Sequence, residues 1–281
     1  IGEAVKQHQQ LVVLVTPDTP SALKLEHELH ATLSRDEVMV FPDWETLPYD
    51  HFSPHQDIVS TRLHTLSRLN NISHGVLIVP VATLMLRAAP KEFIYGNAIV
   101  YQVGDTLNID KLRKQLDDAG YIHTQQVMAH GEYAVRGSVV DLFAMGQNAP
   151  VRFDLFDDEI DSMSHFDVDS QRSSDNISHI NLLPAHEFGT TDSDIERFRI
   201  QYREAFGASA EQDSVYMQVS KGALPAGIEY YLPLFFEGLE SLFDYLPDDT
   251  LVFCDDIQPK LAAYWQETED RYENLRYDIQ K

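Results

Sequence analysis

Paired acids at the ends of apolar strands are the first residues in this sequence whose type and spacing suggest chemistry. Phe153 to Asp158 and Leu251 to Asp256 each run an apolar stretch into adjacent carboxylates, the way nucleotide hydrolases present an acid to magnesium. Such chemistry also needs a glycine-rich loop with Lys and Ser/Thr to cradle phosphates, and the sequence contains no G-x-x-x-x-G-K-[ST]. Both segments therefore read as strands closed by acidic turns, the first more firmly than the second. His51, His55 and Asp57 bring two imidazoles and a carboxylate close together, but Pro54 keeps the two His off one helical face. No metal site is expected there. Asp167 and Asp169 open like a calcium loop, whose sixth position demands glycine and here is Arg172. Cys254, the single cysteine, lies in an apolar strand where a buried thiol is inert, and no Ser sits in a G-x-S-x-G elbow. No catalytic residue is expected.

One constellation of a different kind survives. Val151, Phe153 and Leu155 alternate with Arg152, Asp154 and Phe156, so a strand that buries the first set turns the second outward. Arg136 lies on a neighbouring strand. An exposed arginine beside an exposed phenylalanine is the composition of a protein interface, because the guanidinium fork grips carboxylates and the ring supplies buried area. The pattern leaves the plainer alternative open: Phe156 packed under a loop, the arginines solvated or paired with nearby Asp.

Composition favours a protein partner. Lys and Arg number 21 against 45 Asp and Glu, a net charge of −24, and the cations are scattered among acids instead of forming a basic stripe. Autonomous DNA binding is not expected. The apolar run Leu11 to Val15 is too short to span a membrane, and the lone cysteine fits a reducing, cytoplasmic setting.

The elements that must position these residues fall into three stretches. In residues 1–95, strands at Gln10 to Thr16, Val38 to Phe41 and Gly75 to Val79 alternate with helices. The first helix is predicted with Thr19 as N-cap, Pro20 at its first position and Ala22, Leu25, Leu29 and Leu33 inward. This is the texture of a parallel, helix-covered α/β sheet. Residues 96–188 change to strands of period two around one short helix, Ile109 to Ala119, stopped by Gly120; Asp157-Asp158 makes a turn into Glu159 to Met163. Residues 189–281 open on a helix with Ser193 and Glu196 as a capping box, followed by a loop at Gly207 to Ser214, a strand at Leu251 to Cys254 and a helix from Lys260 onward.

The segments Asp43 to Asp57 (DWETLPYDHFSPHQD), His130 to Gly137 (HGEYAVRG), Phe156 to Asp161, Phe166 to Arg172 and Leu183 to Phe188 carry a further signal. Together they resemble the bacterial transcription-repair coupling factors (Mfd), in the region of that family similar to the excision-repair helicase UvrB. The resemblance implies a helicase-like α/β domain in two halves around an inserted α+β domain that binds UvrA. It implies UvrA-binding roles for Arg136, Arg152 and Phe156, with Asp154 matching an acidic UvrB residue, while Ala134 stands where the helicase has a further Arg. It also places Asp255 and Asp256 in a degenerate magnesium motif: the run Asp255-Asp256-Ile257-Gln258 lacks the helicase's catalytic Glu and its His. The expectation is an adaptor without a cofactor of its own. ATP and magnesium would serve the motor of the full-length protein, and DNA and RNA polymerase would be bound by other regions; a further reading is an intramolecular clamp, in which the rest of the full-length protein covers the UvrA face until it is released. The rival expectation is a nucleotide-dependent UvrB-type helicase fragment that binds ATP and DNA.

Overall fold

The computed structural model describes residues 5, 10–207, 214–254 and 256–279, so most of the expected loop at Gly207 to Ser214, and Asp255, lie outside it. Strand β1 (Leu11–Thr16) leads to helix α1 (Thr19–Leu29), β2 (Val38–Val40), α2 (Gln56–Leu69), β3 (Gly75–Pro80) and the short helices α3 (Val81–Leu84) and α4 (Lys91–Gly96). Next come β4 (Ile99–Gln102), α5 (Ile109–Asp118), β5 (Ile122–His123), β6 (Glu132–Arg136), β7 (Val139–Leu142), β8 (Val151–Phe156), β9 (Glu159–Phe166), β10 (Ser173–Ile177) and β11 (His179–Leu182). Helices α6 (Asp192–Phe206) and α7 (Val215–Ser220), strand β12 (Leu251–Cys254) and helix α8 (Gln258–Ile279) follow. Contacts divide the chain into two compact units, one of Ile1–Ala88, Ala226–Tyr231 and Gly238–Lys281, the other of Ala89–Pro225 and Leu232–Glu237.

The first unit is built on a parallel sheet in the order β12-β1-β3-β2. Every residue of β1 and β3 is buried, which is why both read as near-continuous apolar runs, broken only by Thr16 at the end of β1, and not as alternations. Helix α1 covers the sheet with Ala22 and Leu29, which join Val12, Leu14, Val76 and Ile78 in one cluster, with Leu33 beside them and Leu25 at its margin. Its N-cap is Asp18 and not Thr19: the Asp18 carboxylate accepts from the Ser21 backbone N–H at 3.1 Å, so Thr19 and Pro20 become the first helical residues. Strand β12 departs from expectation more sharply. It pairs with β1 alone among the described residues, and Leu251, Val252 and Phe253 are 41, 42 and 57% exposed, so Cys254 is an exposed thiol and not a buried one.

The second unit carries a six-stranded sheet in the order β10-β9-β8-β7-β6-β5, antiparallel except where β5 meets β6, and a separate antiparallel pair of β11 and β4. Val140, Leu142, Val151 and Phe153 are fully buried on the inner face of the large sheet. On that face Tyr101 packs its ring 6.2 Å from Phe153 and donates to Gln115 of α5, while Tyr133 donates to Asp117. The β8–β9 hairpin turns at Asp157 and Asp158, with Asp157 at φ +52°, and a bulge after Asp154 fits one extra residue into β9.

Residues 189–225 pack with this unit, although their texture had grouped them with the helicase-like halves. Phe198 of α6 lies 4.9 Å from Phe235, whose ring stacks at 4.5 Å on Phe188. Helix α6 also starts two residues earlier than the Ser193–Glu196 box would have it. Thr191 is the N-cap, and Asp194 reaches back to the Thr191 N–H at 3.1 Å.

His186 stacks on Phe188, and burial pushes its imidazole from 6.5 down to about 4. With the folded value below the unfolded one, the unfolded chain takes up the proton first as the pH falls. The stability that rests on neutral His186 is complete above about pH 6.5 and lost as the pH falls toward about 4. Melting curves across that window should fall by about 3 kcal/mol more for the unaltered chain than for His186→Gln. Parallel curves would remove His186 as the cause.

Candidate partner-binding face

Two tight hairpins bring the expected residues to one end of the large sheet. The β6–β7 turn, Gly137-Ser138, needs the left-handed φ of +62° that Gly137 supplies, and its Arg136 pairs with Val139. Val139 pairs in turn with Asp154, so Arg136 and Asp154 lie in one row two strands apart, roughly 10 Å at the usual strand spacing. Phe156 follows two residues later on the same face of β8. Strand parity holds: Phe153 is fully buried and Phe156 is 73% exposed. Phe156 is not covered by a loop.

The arginines are less free than their alternation suggests. Both engage the same carboxylate, Asp141, whose side chain is 1% exposed. Asp141 pairs directly with Arg152 across β7 and β8, and it accepts from Arg152 Nε at 2.7 Å and Nη2 at 3.0 Å, the bidentate arrangement. Arg136 donates to the same Asp141 through Nη2. Arg152 Nη1 reaches the Gln171 carbonyl at 3.1 Å and Ser173 Oγ at 3.4 Å, and its guanidinium sits 4.8 Å from the centre of the Phe166 ring. Hydrogen bonding to Asp141 raises the Arg152 pKa above its already high ordinary value, with the charge of Asp154 adding to the effect. The two arginines differ in access: the Arg152 side chain is 16% exposed, that of Arg136 49%. Asp154 is half-buried between this network and Phe156.

The outer face also contains a small apolar cluster. Val127, Ala134 and Phe166 are buried there, with Phe143 packed against them. Ala134, the position that departs from the helicase, is 2% exposed within that cluster. Asp141 is the residue that sequence reasoning missed. Its position between the inward Val140 and Leu142 already turned it outward, but only the register places it opposite Arg152. Gln171 was missed too. It supplies its carbonyl from a left-handed φ of +57°, with its side-chain amide donating to the carbonyls of Val127 and Val168.

The other sequence candidates lead elsewhere. Phe153 to Asp158 lies in an antiparallel hairpin, which is not the setting of a nucleotide-binding strand. His55 caps α2, its Nδ1 accepting from the Asp57 N–H at 3.3 Å. Among the described residues no group of three or more His, Cys, Asp or Glu is placed to hold a metal, and no helix is long and apolar enough to cross a membrane. Asp256 follows β12 at φ +47° and stands where the magnesium motif has its Glu, and Gln258 offers no imidazole where it has its His, so the residues do not fit the motif.

Residues 99–188 match the UvrB interaction domain. The chain is 51% identical over 280 residues to the transcription-repair-coupling factors of Haemophilus influenzae and of Escherichia coli, covering 99% of this chain and 24% of each relative. The factor of Bacillus subtilis is 28% identical over 262 residues, covering 88% of this chain and 22% of its own length. The chain thus spans about a quarter of the length of the curated relatives it matches. With a UvrB interaction domain at 99–188 and identity running along nearly its whole length, the chain belongs to the transcription-repair-coupling factor family.

Proposed function

We propose that this chain is the UvrA-docking segment of a transcription-repair-coupling factor, an adaptor that brings UvrA to stalled RNA polymerase and performs no catalysis itself. The observation that carries this reading is Phe156, 73% exposed at the end of β8 beside the Arg136–Asp141–Arg152 network. A large ring left in water on the same sheet face as a half-exposed arginine is a typical interface composition, since its burial area is still unused and the guanidinium gives direction. The match of residues 99–188 to the UvrB interaction domain supports UvrA as the partner. The charge balance of −24 supports a protein partner over DNA. On this reading the parallel sheet of the first unit is a helicase-derived scaffold, Asp255 and Asp256 are relics, and no cofactor is needed here. ATP, magnesium, DNA and RNA polymerase belong to the rest of the longer protein, which can also mask the UvrA face.

The rival, a nucleotide-dependent helicase fragment, draws on the parallel pairing of β12 with β1, the setting in which such enzymes carry their acidic motif. ATP hydrolysis by this chain, stimulated by DNA, would overturn the adaptor reading; none is expected. Calorimetric titration with UvrA tests the docking face itself. Phe156→Ala should weaken binding by about 2 kcal/mol or more while leaving the melting curve in place. Phe153→Ala, on the buried side of the same strand, should destabilise the unit by about 3–5 kcal/mol. An unchanged affinity in Phe156→Ala would move the interface off this face.

A further inference from the structure

Arg136 and Arg152 are not equivalent, and the difference follows from how their donors are used. A guanidinium has five N–H groups. In Arg152, Nε and one N–H of Nη2 are taken by Asp141, and Nη1 points at both Gln171 O and Ser173 Oγ, so four of the five are engaged by the fold. Stacking over Phe166 holds its plane as well. Little of it remains to grip a partner's carboxylate in a fork. Among the described residues Arg136 is bonded at Nη2 alone, to Asp141, and its side chain is half-exposed, which leaves its other N–H groups available to a partner.

Asp141 is the hinge of this division. It carries one negative charge against two positive ones, and at 1% exposure it has no water to share the work. Its two oxygens are both occupied: Oδ1 by Arg152, Oδ2 by Arg152 and Arg136 together. An arginine tied at one nitrogen to a carboxylate that is itself fixed by a bidentate fork loses most of its rotamer freedom before any partner arrives. Preorganisation of this kind raises affinity because the ordering cost is not incurred again on binding.

We infer that Asp141 is a positioning residue of the docking face: through its hold on Arg152 it aims the free edge of Arg136 at an acidic side chain of the partner, beside the pocket that receives Phe156. The trio alone has one positive charge in excess and Asp154 beside it offsets that charge, so an acidic group is drawn by the free N–H donors of Arg136 and not by a net positive patch, while the chain's net charge of −24 repels it from most of the remaining surface. The inference rests on the UvrA-docking reading and adds to it which arginine makes the contact, which one supports it, and what the partner must offer.

The test is a double-mutant cycle read by calorimetric titration of this chain with UvrA, with melting curves alongside. Asp141→Asn keeps size and one acceptor oxygen but turns the other into a donor that faces a guanidinium N–H. Asp141→Glu keeps the charge and shifts it outward by one methylene, so it retains the ion pairs if the Asn variant melts too early to titrate. Either change should weaken UvrA binding about tenfold in the unaltered background, within the usual range for coupled neighbours, and have little effect once Arg136→Ala is present. Equal losses with and without Arg136, or unchanged affinity in both Asp141 variants, overturn the inference. If Phe156→Ala still weakens binding in that case, the docking assignment stands without it. An unaltered chain that fails to bind UvrA overturns the docking assignment and the inference together.

Discussion

A carboxylate removed from water keeps its charge only where cations and donors fill its lone pairs, and Asp141 imposes that condition on the whole outer face of the large sheet. Arg152 meets it, and Arg152 must then be covered in turn. The loop between β9 and β10 comes over it, with Gln171 in a left-handed conformation so that its carbonyl meets Nη1 and its amide ties back to Val127. Phe166 slides beneath the guanidinium, and Ala134 and Phe143 fill the space beside it. A face that alternation alone would leave to solvent thus acquires a small core of its own. The sheet is covered on both sides around Asp141, and Phe156 is left in water just beyond that cover, at the hairpin end.

A second buried charge plays a comparable part in the parallel-sheet unit. Arg62 of α2 is fully buried, its guanidinium 4.2 Å from the centre of the Phe41 ring and 5.1 Å from that of Trp44, and it donates to the Pro42 carbonyl at 2.8 Å. The loop that begins there is held along its length. Thr46 bonds Tyr230, Ser53 donates to Glu229, and Arg271 of α8 pairs with Asp50 and donates to the Pro48 carbonyl. Gly227 closes the seam, since a Cβ there would lie 2.8 Å from the Asp50 carbonyl oxygen. The long Asp43 to Asp57 run, so distinctive in the sequence, supplies this fastening. Burial, with the charge of Glu45 adding to it, lifts the Asp43 carboxyl above its ordinary range against the opposing Trp44 N–H and Arg62, which suits a structural position.

How legible was all this beforehand? The parallel sheet was readable because β1 is apolar from Leu11 to Val15 and β3 from Gly75 to Pro80, runs that lack the alternation of a half-exposed strand. The two faces of β8 were readable because its parity is strict. Caps were misplaced at α1 and α6, where several polar residues stand side by side and only backbone geometry chooses among them. The Asp141 network was invisible for a different reason. It depends on the register of β7 against β8 and on a loop arriving from β9, and neither is encoded locally. That residues 189–225 join the second compact unit is likewise not visible in their texture, because the contact of Phe198 with Phe235 joins residues 37 positions apart.

Strand β12 ends the parallel sheet with one side of its backbone unpaired among the described residues, and its Leu, Val and Phe side chains are open to water. A bare row of N–H and C=O groups flanked by apolar side chains is a template for another strand. Charged residues that would blunt such an edge are absent from Leu251–Cys254, so electrostatic repulsion there is left to the acids that follow. Whatever polypeptide first lies alongside it determines whether this sheet is extended in register, as part of a larger fold, or recruited into aggregates. The exposed thiol of Cys254 can then make a chance encounter between two such edges permanent under oxidising conditions.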